Sequence, residues 1–169
     1  MRAKKFTAAV VLSVIAAVGF APLANAAVRP TTAQKLQLQY LIEEEKLARD
    51  VYLYLAANVT TAKFSNIAKS EQTHMDQIAA VLKTYNYFNP TTTRAAGVFR
   101  DKSLQALYNT LIAQGSVDVA AAMQVGRDIE NLDIKDLQVM LKSTMPADMK
   151  LALDNLLKGS YNHLAAFNR

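Results

Sequence analysis

The spacing of glycine and proline is the feature of this chain that most limits how it can fold. Residues 33 to 58 contain neither of these helix-breaking residues, and neither do residues 63 to 86. Alanine, leucine, glutamine, lysine and acidic residues, which favour helix, fill both segments. Because no run of four or more residues alternates convincingly between apolar and polar side chains, the sequence predicts an all-α protein.

Capping residues and the same two breakers place the other helices. Thr31 or Thr32 is suited to cap the first helix, and Pro146 suits the first turn of the last. The remaining helical segments, after a loop over 87 to 100, are 101 to 115, 117 to 142 and 146 to 167. Four long helices, with a short one inside the connection between the second and third, predict a bundle with one long crossover.

Residues 1 to 26 have the pattern of a secretory signal peptide. A basic start is followed by an apolar run over residues 6 to 20, and Ala-Asn-Ala at 24 to 26 matches a signal-peptidase site. An uncleaved anchor would need roughly 20 apolar residues. We therefore expect cleavage, a mature domain over residues 27 to 169 with no stable membrane anchor, and a periplasmic or secreted location.

Removal of this segment changes the charge balance. The chain has 19 basic and 14 acidic residues, but Arg2, Lys4 and Lys5 belong to the signal, which leaves a net charge of +2. We therefore infer no nucleic-acid partner. The chain also lacks cysteine, which excludes zinc-ribbon, iron–sulfur and rubredoxin-type sites. Any bound metal would be held by Asp, Glu and His.

Every long helix carries polar side chains on or beside its apolar face, at 100° per residue. They are Glu44 and Glu45 on the first long helix, Glu71 and His74 on the second, Glu130 and Asp133 on the third, and Ser160 and His163 on the last. Burying a lone carboxylate costs several kcal/mol unless it is paired, protonated or bound to a cation. Two histidines cannot neutralise four or five acids, so the pattern predicts a metal ion in the bundle core.

Each of these signals is weak by itself. A Glu-x-x-His pair often makes only a surface hydrogen bond, and a lone histidine such as His163 is more often a satisfied core residue. The acidic run at 43 to 45 is typical of a solvated helix start, and Glu130 is within reach of Arg127. Their coincidence on all four long helices favours a metal site. The pattern of Glu on one helix and x-x-His on the next also occurs twice, which predicts two related helical hairpins.

Several segments resemble a known family. Glu45, Ala48 and Tyr52 match the first-helix motif Glu-x-x-Ala-x-x-x-Tyr of ferritin-like proteins, and SEQTHM resembles their second-helix Glu-x-x-His. Similarity to a ferritin-like group labelled DUF2202 covers almost all of residues 35 to 167, through EEEKLARDVY, FSNIAKSEQTHM, GVFRDKSLQALYNTL, GRDIENLDIKDL and GSYNHLAAF.

The resemblance implies a ferritin-like four-helix bundle whose core binds a pair of iron or manganese ions. The implied ligands are Glu45, Glu71, His74, Glu130 and His163. Ser160 stands where the family has a glutamate, so either Asp133 replaces that carboxylate or the site holds a single ion. The motif also favours Glu45 as the first-helix ligand, whereas the helix-face count favours Glu44.

Two kinds of function remain open from the sequence. A carboxylate-rich, imidazole-poor ligand set suits Fe(II) or Mn(II) better than copper. One hypothesis is an oxidoreductase that uses O₂ or peroxide, as a ferroxidase or peroxide scavenger, with Tyr52 as a hydrogen-bond donor to a ligand. The alternative is a non-catalytic metal-binding bundle or a structural interaction module. A homodimer is left open, and no catalytic residue is assigned.

Overall fold

All five regular elements in the computed structural model are α-helices; the structure describes residues 28 to 59 and 61 to 169. They are α1 (Thr32–Asn58), α2 (Ala62–Thr84), α3 (Lys102–Gly115), α4 (Val119–Met140) and α5 (Ala147–Phe167). No strand occurs in this part of the chain, so the predicted all-α class is confirmed. The predicted signal peptide, residues 1 to 26, lies outside the described residues.

Side-chain caps fix where the helices begin. A capping box starts α1: the Thr31 hydroxyl accepts from the Gln34 backbone N–H at 3.2 Å, and the Gln34 side chain accepts from the Thr31 N–H at 2.9 Å. Two predicted starts are slightly displaced. Asp118 caps α4, which begins at Val119 and not at the predicted residue 117. Ser116, which would suit a cap for the predicted start, instead donates its hydroxyl to the Ile112 carbonyl and closes α3. Pro146 is the N-cap of α5 and precedes its first turn.

The four long helices pack side by side. The α1 helix contacts α2 and α4, the α5 helix contacts the same two, and α3 lies against α1 and α4. The short connections from α1 to α2 and from α4 to α5 make each pair antiparallel neighbours. No helix among the described residues is long and apolar enough to cross a membrane.

Two apolar clusters fill the interior of this helical bundle. We call them the Phe64 cluster and the Leu82 cluster. The first takes its residues from the second half of α1, the beginning of α2, the first half of α4, the end of α5, and α3. The Leu82 cluster uses the opposite halves of the four long helices. Buried polar residues occupy the middle of each long helix, between the two clusters.

Two buried acids of α1 hold the crossover that joins α2 to α4. The Glu43 carboxylate accepts from the backbone N–H groups of Arg100 and, at 3.2 Å, of Asp101. Further along the same helix, Asp50 accepts from the backbone N–H of Gly97 at 2.9 Å. Gly97 has φ +72°, which favours glycine. The acidic run at 43 to 45 is therefore buried and not solvated, and its first member, Glu43, together with Asp50 fastens the crossover to the bundle.

Candidate metal centre

Five side chains from the middle of the four long helices meet in the bundle interior. We call them the carboxylate–imidazole cluster, and all are buried: Glu45 of α1, Glu71 and His74 of α2, Glu130 of α4, and His163 of α5. They lie between the Phe64 and Leu82 clusters, so apolar side chains close both ends. The structure thus brings together five of the six residues predicted to bind metal. Whether they bind it stays a prediction.

Glu71 is the centre of this cluster. Its Oε2 lies 2.8 Å from Nδ1 of His74, and its Oε1 lies 2.9 Å from Nδ1 of His163. The two imidazole rings are stacked with their centroids 5.4 Å apart. Each of the three residues offers one ligand atom, and these atoms lie within 4.8 Å of one another. A single carboxylate therefore links the two histidines.

Glu45 and Glu130 flank Glu71 on opposite sides. Oε2 of Glu45 is 3.1 Å from Nδ1 of His74, and Oε2 of Glu130 is 3.6 Å from Nδ1 of His163. Each Nδ1 atom thus faces two carboxylates. Glu45, and not Glu44, is the first-helix residue that contacts a histidine, as the family motif indicates.

Two polar groups orient the α4–α5 side of the cluster. The Tyr52 hydroxyl donates to Oε1 of Glu130 at 2.7 Å. Oγ of Ser70 lies 2.9 Å from Nε2 of His163, on the side of the ring away from the carboxylates. Hydrogen bonds of this kind fix the angle at which a ligand presents its donor atom. Sequence reasoning singled out Tyr52 but missed Ser70, whose position before Glu71 carries no distinguishing pattern.

Because Gly159 has no side chain, the His74 ring can pack against its backbone. Sequence reasoning missed Gly159 as well. A Cβ atom at residue 159 would lie 2.3 Å from Nε2 of His74, far inside contact distance. Glycine within a helix is unfavourable by about 1 kcal/mol relative to alanine. A glycine inside α5 was therefore a usable signal of close approach.

Asp133, the sixth predicted ligand, accepts a hydrogen bond from Ser160 and, among the described residues, makes no hydrogen bond or ion pair with the five cluster residues, although its charge interacts with those of Glu45, Glu71 and His74. Its Oδ2 accepts a hydrogen bond from the fully buried Ser160 hydroxyl, which also lies 2.9 Å from the Leu156 carbonyl. Oδ1 of Asp133 is buried and has no hydrogen-bond partner. The carboxylate that Asp133 supplies therefore sits against the serine that replaces the family glutamate.

The five groups of the cluster shift one another's pKa values. Burial raises the pKa of Glu45 and that of Glu130 to about 8. Burial alone would lower the pKa of both histidines, but their carboxylate partners raise it to about 11 for His74 and about 10 for His163. Burial opposes ionisation of Glu71 too, yet the two imidazoles hold its pKa at about 2.

The neighbouring buried acids, Glu44 and Asp133, have no imidazole hydrogen-bonded to them that would stabilise their charged forms as in Glu71. Burial, followed by the charges of nearby carboxylates, raises the pKa of Glu44 and that of Asp133 well above their usual values. The buried ammonium of Lys46 is paired with Asp50 and also donates to the Ala95 carbonyl at 2.8 Å. The Lys46 ammonium therefore binds Asp50 and the crossover and does not neutralise the cluster.

The donor atoms of the cluster fit a divalent cation. Oε1 of Glu45, Oε1 of Glu71 and Nδ1 of His163 are buried and make no hydrogen bond. The last two lie 2.9 Å apart as an ion pair, so Oε1 of Glu45 is the one of these three atoms that has neither a hydrogen bond nor an ion pair with the described residues. Buried polar atoms without partners destabilise a protein by about 1 to 3 kcal/mol each. Oxygen and imidazole nitrogen donors arranged in this way suit Fe(II) or Mn(II).

The fold and this cluster define a class: all-helical bundle proteins with a buried carboxylate–imidazole centre. The chain belongs to the family described as uncharacterized protein domain DUF2202, whose pattern matches residues 34–169. The predicted resemblance to that group is thereby confirmed.

Two comparisons connect the chain to an archaeal relative. It is 45% identical over 127 residues to the uncharacterized protein MJ0754 of Methanocaldococcus jannaschii, which covers 75% of this chain and 69% of that protein. The crystal structure of hypothetical protein MJ0754 from Methanococcus jannaschii matches with a TM-score of 0.80 and 42% identity, over 82% of this chain and 79% of that chain.

Proposed function

We propose that this protein is a ferritin-like metal-binding protein whose carboxylate–imidazole cluster holds iron or manganese, one or two ions per chain. The arrangement of the helices supports the ferritin-like assignment: the middle of each long helix supplies a cluster residue, and one crossover with a short helix joins α2 to α4. The predicted signal peptide makes it an exported protein, periplasmic or secreted.

The observation that carries this proposal is the mismatch between buried acids and buried bases. Glu44, Glu45, Glu71, Glu130 and Asp133 are all buried, and the two histidines are the bases among them. Several of the donor atoms have no hydrogen-bond partner. A divalent cation held by Glu45, Glu71 and Glu130 would compensate this excess of buried acid. It would also give the unpartnered donor atoms of the cluster a ligand bond, which removes a penalty of several kcal/mol.

The residues themselves define what each would do. Glu45, Glu71 and Glu130 are carboxylate ligands, and His74 and His163 bind through Nδ1. Tyr52 holds Glu130 and Ser70 holds His163 in place. Bound iron or manganese would supply one-electron redox chemistry with O₂ or peroxide as the oxidant. The apolar clusters at both ends keep bulk water away from that chemistry.

A non-catalytic metal-binding module is the second candidate. Ser160 and Asp133 favour it, because the hydroxyl already satisfies one oxygen of the carboxylate that would complete a second metal position. Under this candidate the cluster binds one ion and does not turn over an oxidant.

The first experiment counts metal in the exported protein and then follows its reaction. Iron, manganese and zinc per chain are measured by mass spectrometry, the metal is removed, and Fe(II) is added while oxygen consumption is recorded. At least one ion per chain with rapid Fe(II) oxidation supports the oxidoreductase. One ion without oxidation supports the binding module. A chain that takes up no metal overturns both.

The two histidines provide an independent readout of where the metal binds. The chain has no others, so imidazole signals in an NMR spectrum come from the cluster alone. Added Mn(II) should broaden both imidazole signals at about one equivalent, and more strongly than the signals of exposed side chains such as Asp154. Broadening confined to surface residues would place the metal elsewhere and contradict the proposal.

A further inference from the structure

A surface cavity opens between α1 and α4 on one flank of the bundle. It has a volume of about 290 Å³. Leu36 and Val139 line it and are 60% and 53% exposed, so its mouth faces solvent. Tyr40, Glu44 and Asp136 line it as well, and no lysine or arginine of the described ranges does. The cavity is therefore apolar at its rim and acidic within.

Glu44 lies at the inner side of this cavity. It is only 3% exposed, and neither of its carboxylate oxygens has a hydrogen-bond partner. Asp133 and Asp136 are its charged neighbours, and both are acids. Burying a carboxylate without a partner is unfavourable, and a cation that enters the open cavity would relieve that cost.

The acids of α4 lead from the cavity into the carboxylate–imidazole cluster. Asp136, Asp133 and Glu130 follow one another at three-residue intervals, each step about 4.5 Å along the helix and offset by 60° around it. Their exposure falls along that path: Asp136 is partly exposed, Asp133 is 6% exposed and Glu130 is 2% exposed. This row of three carboxylates thus leads from the cavity to the carboxylate–imidazole cluster.

The ends of the bundle offer no comparable path. A cation moving along the bundle axis would have to cross the Phe64 cluster or the Leu82 cluster, where it would lose its water without gaining ligands. The flank between α1 and α4 supplies an oxygen ligand at every step.

We propose that this cavity is the entrance through which a divalent cation reaches the cluster, with Asp136 at the mouth and Glu44 and Asp133 as successive transient ligands. The inference rests on the proposed function, since it needs a metal ion at the cluster. It adds a role for Glu44 and Asp136, neither of which belongs to the ligand set.

The test measures the rates of metal loading and release together with the dissociation constant. A residue on the route changes loading and release by the same factor and leaves the dissociation constant unchanged, whereas a ligand of the centre changes the dissociation constant itself. The probe is Fe(II) under anaerobic conditions, with loading followed by depletion of an indicator dye and release followed by transfer to a chromogenic chelator. Neither readout depends on oxidase activity.

Three variants separate the route from general effects. Val139→Trp blocks the mouth at an exposed position, and Glu44→Gln removes the inner charge at equal volume. Leu151→Trp is the matched control: residue 151 is 63% exposed and lines a cavity of about 250 Å³ between α2 and α5 that contains neither Glu44 nor Asp136.

We expect Val139→Trp and Glu44→Gln to slow loading and release at least about tenfold with an unchanged dissociation constant, and Leu151→Trp to behave as the wild type. Wild-type rates in both route variants would overturn the entrance while leaving the proposed function intact. A wild-type chain that binds no Fe(II) would overturn the proposed function and the entrance together.

Discussion

The two halves of the carboxylate–imidazole cluster occupy equivalent positions on two helical hairpins but differ in how their donors are engaged. In the α1–α2 half, Nδ1 of His74 is 3.1 Å from Glu45 and 2.8 Å from Glu71. In the α4–α5 half, Nδ1 of His163 is 3.6 Å from Glu130, its own hairpin's carboxylate, and 2.9 Å from Glu71. The second histidine relies on a carboxylate from the first half.

Hydroxyl groups account for much of this difference. In the α4–α5 half, Tyr52 donates to Glu130 and Ser160 donates to Asp133. In the α1–α2 half, Oε1 of Glu45 has no hydrogen-bond partner. Similar helix positions thus give one half in which no hydroxyl donates to Glu45 and one half in which a hydroxyl donates to each carboxylate, although Oδ1 of Asp133 is also without a partner among the described residues. We expect the first half to dominate metal affinity.

Replacing Glu71 should have the largest effect, because its two oxygens serve both halves. Glu71→Gln removes the charge shared by His74 and His163 at nearly the same volume. We expect at least about a 100-fold loss of metal affinity, measured by competition with a chelator of known affinity. Asp76→Asn is the control, since Asp76 is an exposed acid of α2 whose contact is Gln72. Retention of wild-type affinity in Glu71→Gln would refute a shared centre.

The metal-free protein should lose stability as the pH rises from about 5 to 9. The pKa values of His74 and His163 are raised in the fold, so their stabilisation is complete below the unfolded value near 6.5 and is lost as the pH rises toward 10 to 11. The raised pKa values of Glu45 and Glu130 add a penalty that grows between about 4.5 and 8. Glu71, with its lowered pKa, acts the other way only below about 4.5.

Denaturant unfolding of chelator-treated protein across that pH range measures this effect. The metal-bound protein should show the reverse trend, because neutral imidazoles bind metal and protons compete for them. An NMR titration adds a direct readout: both imidazoles should stay protonated well above their usual pKa near 6.5. Metal-free stability that increases between pH 5 and 9 would contradict this description of the cluster.

Gly159→Ala should disturb the first half through His74. The added Cβ, 2.3 Å from Nε2, forces the ring to move. Overpacking of this kind costs about 1 to 3 kcal/mol of unfolding free energy, and the displaced ring should weaken metal binding. Gly115→Ala is the control, because its Cβ would meet the flexible Leu55 side chain at 2.8 Å, within the Phe64 cluster. Equal losses of metal affinity in both variants would show that the effect is not specific to His74.

Tyr52→Phe should have the smallest effect, and it tests the second half. It removes the donor to Glu130, whose Oε1 is then buried without that hydrogen bond. We expect about 1 kcal/mol of lost stability and roughly a tenfold weaker metal affinity. Tyr161→Phe, at an exposed residue of α5 that contacts Gln138, should change neither. A larger loss of affinity than in Gly159→Ala would reverse the proposed order of the two halves.

The helices were predictable from the sequence because their signals are local. The absence of Gly and Pro from α1 and α2, and caps such as Thr31 and Asp101, act within a few residues of chain. Helix periodicity likewise predicted that the residues of the cluster point into the bundle. The displaced start of α4 reflects a competition that the sequence does not resolve: both Ser116 and Asp118 suit a cap, and Ser116 is used by the end of α3.

The rest depended on contacts between distant parts of the chain. Glu43 and Asp50 are buried because backbone N–H groups of the crossover reach them, and no local pattern specifies that loop's path. Ser70 meets His163 only after α2 and α5 pack together. Helix periodicity could not choose between Glu44 and Glu45, since both are buried and differ only in what they face.

The three consecutive acids of α1 show how that helix is rotated about its own axis. Successive residues point 100° apart, so Glu43 faces the crossover, Glu44 the flank cavity and Glu45 the histidines. The Glu43 tether and the apolar face of α1, which is buried in both clusters, hold the helix in one rotation about its axis. A turn of about 100° would be needed to present a different acid to the imidazoles, so the outer loop and the core together keep Glu45 as the acid that faces them.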